Sequence, residues 1–182
     1  ETITVSDAGG GRTLVDSDVA GESLTFTNPT GTLTINAGDT GVKIIDVGAL
    51  AASYAATIDI NGGTGGDTVN VNGALTLAAN KSLTVDAQTI NAPNASSDIV
   101  TSGTGSVSLT AARNIVLSSG SSITTVNGGI VLSANSTGTA TGDFAGLTTD
   151  NATIQTSGTG NISLTGFGGD DAGTGTHAGV LL

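Results

Sequence analysis

Residues 101–110 read TSGTGSVSLT and residues 156–165 read TSGTGNISLT. Two near-copies of one phrase, 55 positions apart from Thr101 to Thr156, mark a chain assembled from repeats. A repeat unit cannot bury its apolar face alone and does so by stacking on its neighbours. Function is then expected in length, stiffness and surface rather than in a catalytic pocket.

The rest of the chain reads as short strands. Period-two alternations recur at 2–5 (TITV), 23–27 (SLTFT), 32–35 (TLTI), 42–47 (VKIIDV), 57–60 (TIDI) and 68–71 (TVNV). They continue through 74–77, 82–85, 106–109, 114–117, 129–132, 153–155 and 161–164, and Gly, Asn, Asp or Ser closes each run. Helix signals are poor; the best stretch is 48–56 (GALAASYAA), which lacks a clear cap. Val107, Ile115 and Ile123 follow at steps of 8, and Ile130 lies 23 residues after Val107. That spacing predicts one turn of three short strands, hence an all-β parallel β-solenoid. Sandwich strands would be longer and hairpin-linked. The expected organisation is a single module over 1–182, less regular in 1–61 and clearly repetitive in 62–182. The 32-residue intervals from Leu75 to Val107 and from Ile130 to Ile162 predict surface excursions at 91–98 and 136–149.

Composition narrows the function classes. Gly supplies 29 of 182 residues without a three-residue period, and Pro29 and Pro93 are the two prolines, which excludes collagen. Regular β-branched clusters argue against disorder. Arg12, Lys43, Lys81 and Arg113 are the basic residues against 15 acids, a net charge of −11. A nucleic-acid partner needs a basic footprint that this chain lacks. No apolar run reaches the roughly 18 residues that span a bilayer, so membrane insertion is not expected. The chain has no Cys and no Met and begins without a signal peptide. The expectation is a processed or excised piece of a larger extracellular, cell-surface protein.

The stretch GSVSLTAARNIVLSSGSSITTVNGGIVLSAN (105–135) resembles the repeats of filamentous-haemagglutinin-like adhesins and of other very large, repetitive bacterial surface proteins. The resemblance covers roughly 62–182. It implies a right-handed parallel β-helix in an adhesin or surface fibre.

One segment carries metal chemistry. Residues 62–70 (GGTGGDTVN) fit the calcium nonapeptide G-G-x-G-x-D-x-U-x, with Asp67 as the carboxylate and Gly63 and Gly65 in the turn. Calcium wants six to eight oxygens and one nonapeptide supplies about half a site, so a Gly-rich corner with a turn Asp is the competing reading. No cofactor is required. Five sequons, at Asn80, Asn94, Asn135, Asn151 and Asn161, are candidate N-glycosylation sites. An enzyme is not expected. A polysaccharide-active β-helix would need convergent carboxylates, whereas Asp16/Asp18 and Asp170/Asp171 sit in loop-like acidic stretches and His177 in a Gly/Thr tail. Ice binding would need TxT aligned on most turns; strand-like runs offer it at Thr2/Thr4, Thr25/Thr27 and Thr32/Thr34, but later strands read LTL, SLT and IVL.

The ends look uncapped, ETITV at one and AGVLL at the other. Ile3, Val5, Val180, Leu181 and Leu182 are therefore candidate end-to-end contacts, with 1–5 pairing to a neighbour's open edge. The expected partners are copies of itself or flanking repeats of a longer chain. The expected role is a stiff structural rod that displays a surface. The alternative is an adhesin stalk that contacts glycans or other cells.

Overall fold

The computed structural model describes residues 1–170, 175 and 177–182. Among them are seventeen strands and no helix, and most of the pairing is parallel. The strands form three ladders. The first holds β4 (Thr32–Asn36), β6 (Thr57–Asn61), the front halves of β9 (Leu83–Ala92) and β11 (Val107–Leu117), β13 (Ile130–Ala134) and β16 (Ile162–Gly166). The second holds β1 (Thr2–Gly9), β5 (Ile44–Val47), β7 (Thr68–Val71), the back halves of β9 and β11, β14 (Leu147–Thr149) and β17 (Val180–Leu181). The third holds β8 (Leu75–Thr76), β10 (Asp98–Val100), β12 (Ser122–Thr125) and β15 (Thr153–Thr156), with a bridge from Tyr54 to Leu77.

From β4 onward the chain visits the ladders in the same order on every pass. Leu33, Ile58, Leu83, Val107, Ile130 and Ile162 are successive partners in the first ladder, at steps of 25, 25, 24, 23 and 32 residues. The period-two alternation turns these residues inward, where each rests on its equivalent one strand away. Leu83, Val107 and Ile130 are 0 % exposed, as are Ile115 and Leu147 in the second ladder and Leu75 and Ile99 in the third. Each such side chain contributes roughly 1.5–3 kcal/mol of burial. Because the layers are narrow, Val, Ile, Leu and Ala fill them, and large aromatics are not needed.

The 55-residue repeat is two passes. Thr101 leads to Thr125 by register and Thr125 to Thr156, so TVNGGIVLSA (125–134) is the copy between the two recognisable phrases. Its turn is one residue shorter, which hides it from letter matching. In each copy the leading Thr hydroxyl ties the corner: Thr101 donates to Gly105 O at 2.6 Å, Thr125 to Gly128 O at 2.7 Å and Thr156 to Val126 O at 2.7 Å. The glycines are there for contact. A Cβ on Gly128 would lie 1.9 Å from Gly105 O, and one on Gly160 would lie 2.1 Å from Gly128 O.

The N-terminal region departs from the parallel pattern. β1 pairs antiparallel with β2 (Arg12–Ser17), and β2 pairs antiparallel with β3 (Ser23–Thr27). Gly9, Gly10 and Gly11, with φ of +75°, +61° and +72°, make the first reversal. Left-handed backbone at three successive positions is a conformation that only glycine adopts cheaply. This meander extends the second ladder by two strands beyond β1.

One sequence expectation is corrected here, and the poor helix signal at 48–56 comes to nothing: those residues are not helical. Tyr54 lies 1 % exposed beneath the meander and bridges to Leu77, so this stretch belongs to the third ladder. Residues 91–98 are no excursion, since 91–92 end β9 and Asp98 opens β10. The register partner of Val107 is Leu83, not Leu75, and that pass has ordinary length. The second excursion is real in length: the step from Ile115 to Leu147 is 32 residues, the extra ones lying before β14.

Candidate functional surfaces

The candidate calcium turn is a packing device in its visible contacts. The backbone N–H of Lys43 donates to Asp67 Oδ1, and the Asp67 carbonyl accepts from Gln88 N and Thr89 N, both at 3.0 Å. Asp67 thus ties three successive passes of the second-ladder corner. The turn at 62–66 nests on the turn at 38–42. A Cβ on Gly63 would fall 2.3 Å from Gly38 O, and one on Gly65 would fall 2.0 Å from Gly41 O. Close approach of backbone therefore accounts for both glycines. Asp67 is fully buried, and its Oδ2 is the one buried side-chain oxygen without a partner among the described residues. No group of three His, Cys, Asp or Glu side chains converges anywhere among those residues.

The five sequons divide by burial. Asn80, Asn94, Asn151 and Asn161 are exposed. Asn80 and Asn151 occupy the left-handed region with φ of +65° and +49°, which Asn tolerates better than most residues. Asn80 Oδ1 accepts from the Thr104 N–H and hydroxyl at 3.0 and 3.1 Å, leaving its amide nitrogen outside these bonds. Asn135 is 1 % exposed. Its Nδ2 donates to the Phe167 and Gly168 carbonyls at 3.3 and 3.2 Å, and its Oδ1 accepts from Ala140 N–H. In the folded chain Asn135 pins the base of the excursion and presents no accessible nitrogen.

That excursion is held by a cation–π contact, the Arg113 guanidinium lying 4.6 Å from the centre of the Phe144 ring. Asp143 Oδ1 lies 3.5 Å from His177 Nε2. Asp16 and Asp18 are exposed on β2 and the turn after it, Asp170 is exposed, and Asp171 lies outside the described residues. Thr2/Thr4, Thr25/Thr27 and Thr32/Thr34 fall on β1, β3 and β4, so the TxT pairs do not stack on one another.

The two poles carry the exposed apolar surface. At the C-terminal pole Ile162 is 42 % exposed, although its equivalents Ile130 and Val107 are at 0 %, because among the described residues no further strand covers it. Val180 is half-buried, Leu181 and Leu182 are exposed, and Phe167 is 51 % exposed. At the other pole Ile3 is half-buried and Val5 is buried. Both edges of β1 are already paired, to β2 and to β5, so residues 1–5 cannot add to a neighbour's edge as the sequence predicts. The edges without a partner among the described residues are those of β3 and β4 at one pole and of β15, β16 and β17 at the other.

Tyr54 joins the meander to the body. Its hydroxyl lies 2.9 Å from Thr13 Oγ1, which in turn donates to Asn28 Oδ1 at 2.8 Å. Burial pushes the phenol above its ordinary value of 10.0, partly offset by the Thr13 hydrogen bond. No family model matches the chain, and no curated protein or solved structure matches it either.

Proposed function

We propose that this chain is a structural module of an extracellular surface protein or fibre, built as a parallel β-solenoid that acts by stiffness and length. The observation that carries the reading is the inward row from Leu33 to Ile162, which runs through six strands with one aliphatic residue on each. Six strands at about 4.8 Å give the first ladder a length of roughly 24 Å. Neighbouring layers hold one another, so bending requires breaking a whole ladder at once. The repeat phrase, the resemblance to filamentous-haemagglutinin-like adhesins and the acidic, Cys-free composition support the extracellular setting.

In this reading the poles meet flanking repeats or further copies of the chain, end to end. Such a joint is heterologous and head-to-tail. It would use the edges of β16 and β17 against that of β4. Electron microscopy at several protein concentrations tests it. Fibres with an axial repeat equal to one chain are expected; short rods that never polymerise sink the filament and leave the module as one segment of a longer rod.

A second reading, an adhesin stalk that contacts glycans, draws on the excursion before β14. It is pinned by Asn135 and by Arg113 against Phe144, and so presents Thr137 and Thr139 on a fixed support. A glycan array separates the two, since a pure scaffold binds no glycan specifically.

A further inference from the structure

The two ladders at the N-terminal pole end at different heights. The first ladder stops at β4, which pairs with β6 alone, while the second continues through β1, β2 and β3. The inner face of the meander therefore rises past the body. Val5, Val15 and Leu24 lie on one inward row, and their exposure climbs from 1 % at Val5, through a half-buried Val15, to 61 % at Leu24. A cleft of about 400 Å³ opens there, with Ile3, Val15 and Leu24 as its apolar lining and Glu1 and Glu22 among its walls.

We propose that this cleft receives an extended segment of a different, cationic protein, added as an antiparallel strand to the free edge of β3. The edge is suited to it. SLTFT (23–27) has no Pro, no Lys and no bulge, the devices that normally blunt an exposed edge. A strand added there prolongs the rows of the sheet, and alternate side chains enter the cleft. Three positions are defined. Apolar side chains fall opposite Phe26 and Leu24, because Phe26 pairs with the buried Thr13 and Leu24 with Val15. A Lys or Arg falls opposite Glu22, whose carbonyl accepts from Ser17 N–H at 3.0 Å and so holds that residue in line with β3. Glu1 already has Lys43 at 3.4 Å, whereas Glu22 has no cation beside it among the described residues.

A second copy of this chain is a poor occupant. Its two runs with the matching order, 77–81 and 109–113, are held in its own ladders with Leu77 and Leu109 buried, so they are not free to join another copy's β3. The matching partner is positively charged, with the order apolar, any, apolar, any, basic along the added strand. This inference does not depend on the rod reading.

An end-capped peptide with valine-threonine-valine-threonine-lysine at its centre, flanked by threonines, is the probe. Its binding to the full chain is followed by fluorescence anisotropy at 0.15 M salt. Saturable binding is expected, weakened at least tenfold by Leu24→Asp and by Glu22→Lys, and lost when glutamate replaces the peptide lysine. Leu24→Asp adds negative charge, so a purely electrostatic attraction would strengthen in that variant. Unchanged or tighter binding to it, or no binding to the native chain, overturns the proposal. A dimer in light scattering that Leu24→Asp dissolves also overturns it, by making a second copy the occupant. Both substitutions are at exposed positions, and a melting temperature within a few degrees of the native chain certifies each variant.

Discussion

The central passes and the N-terminal meander are written in the same alphabet, yet they bury their apolar residues very differently. Leu83, Val107 and Ile130 each lie between two equivalent strands and are 0 % exposed. Leu24, on the last strand of the meander, has a neighbour on one side only and is 61 % exposed. Ile162 at the opposite pole repeats the lesson at 42 %. In these inward rows the residue with one stacked neighbour is far more exposed than its equivalents with two.

The sharpest way to break the comparison is to place a leucine-sized hole in each region. Ile115→Ala should cost about 2–5 kcal/mol in chemical denaturation, since the residue is wholly enclosed. Leu24→Ala should stay within about 0.5 kcal/mol. Equal costs would mean that the meander is covered in solution. A smaller effect, of about 1–3 kcal/mol, is expected for Gly128→Ala, whose new methyl group meets Gly105 O, whereas Gly31→Ala meets nothing and should be nearly neutral. A Gly128→Ala melting curve matching the native one would remove the close-packed corner column.

Asp67→Ala should lose about 1–3 kcal/mol by leaving the Lys43 N–H without its acceptor. Adding millimolar calcium should leave the melting temperature of the native chain unchanged. A rise that Asp67→Ala abolishes would restore the metal reading over the packing one.

The smallest effect concerns the seam between the two regions. The folded-state value of Tyr54 is raised, so its contribution to stability is fully present below pH 10 and is lost as the pH climbs through the raised value. Tyr54→Phe should flatten that alkaline decline and cost about 0.5–1.5 kcal/mol at neutral pH through the lost Thr13 bond. An identical alkaline profile in the variant would assign the decline to another group.

Much of this is legible in the letters. The alternations at 57–60 and 68–71 are strands, the one at 129–132 falls on β13, and the step of 23 from Val107 to Ile130 is one pass. The corner phrase is legible because its glycines and Thr hydroxyls serve a local, repeated contact. Asn135 was not, since a sequon reads the same whether its amide meets solvent or the Phe167 carbonyl thirty-two residues on. β2 was missed because RTLVDS alternates weakly. The signal that could have found it is the glycine triplet before it, which serves a reversal better than a corner.

The sequence by itself determined most of the strands, their inward faces and the approximate length of a pass. These depend on period-two patterning and turn residues, both of which act over a few positions. The tertiary structure alone decided which strands are partners: Leu83 rather than Leu75 beside Val107, and an antiparallel β2 rather than a further parallel strand beyond β1. Leu75 and Leu83 are both apolar residues that open short strands, so patterning cannot tell their ladders apart. Register is chosen by the stacking of residues some 24 positions away, and no local preference encodes that distance.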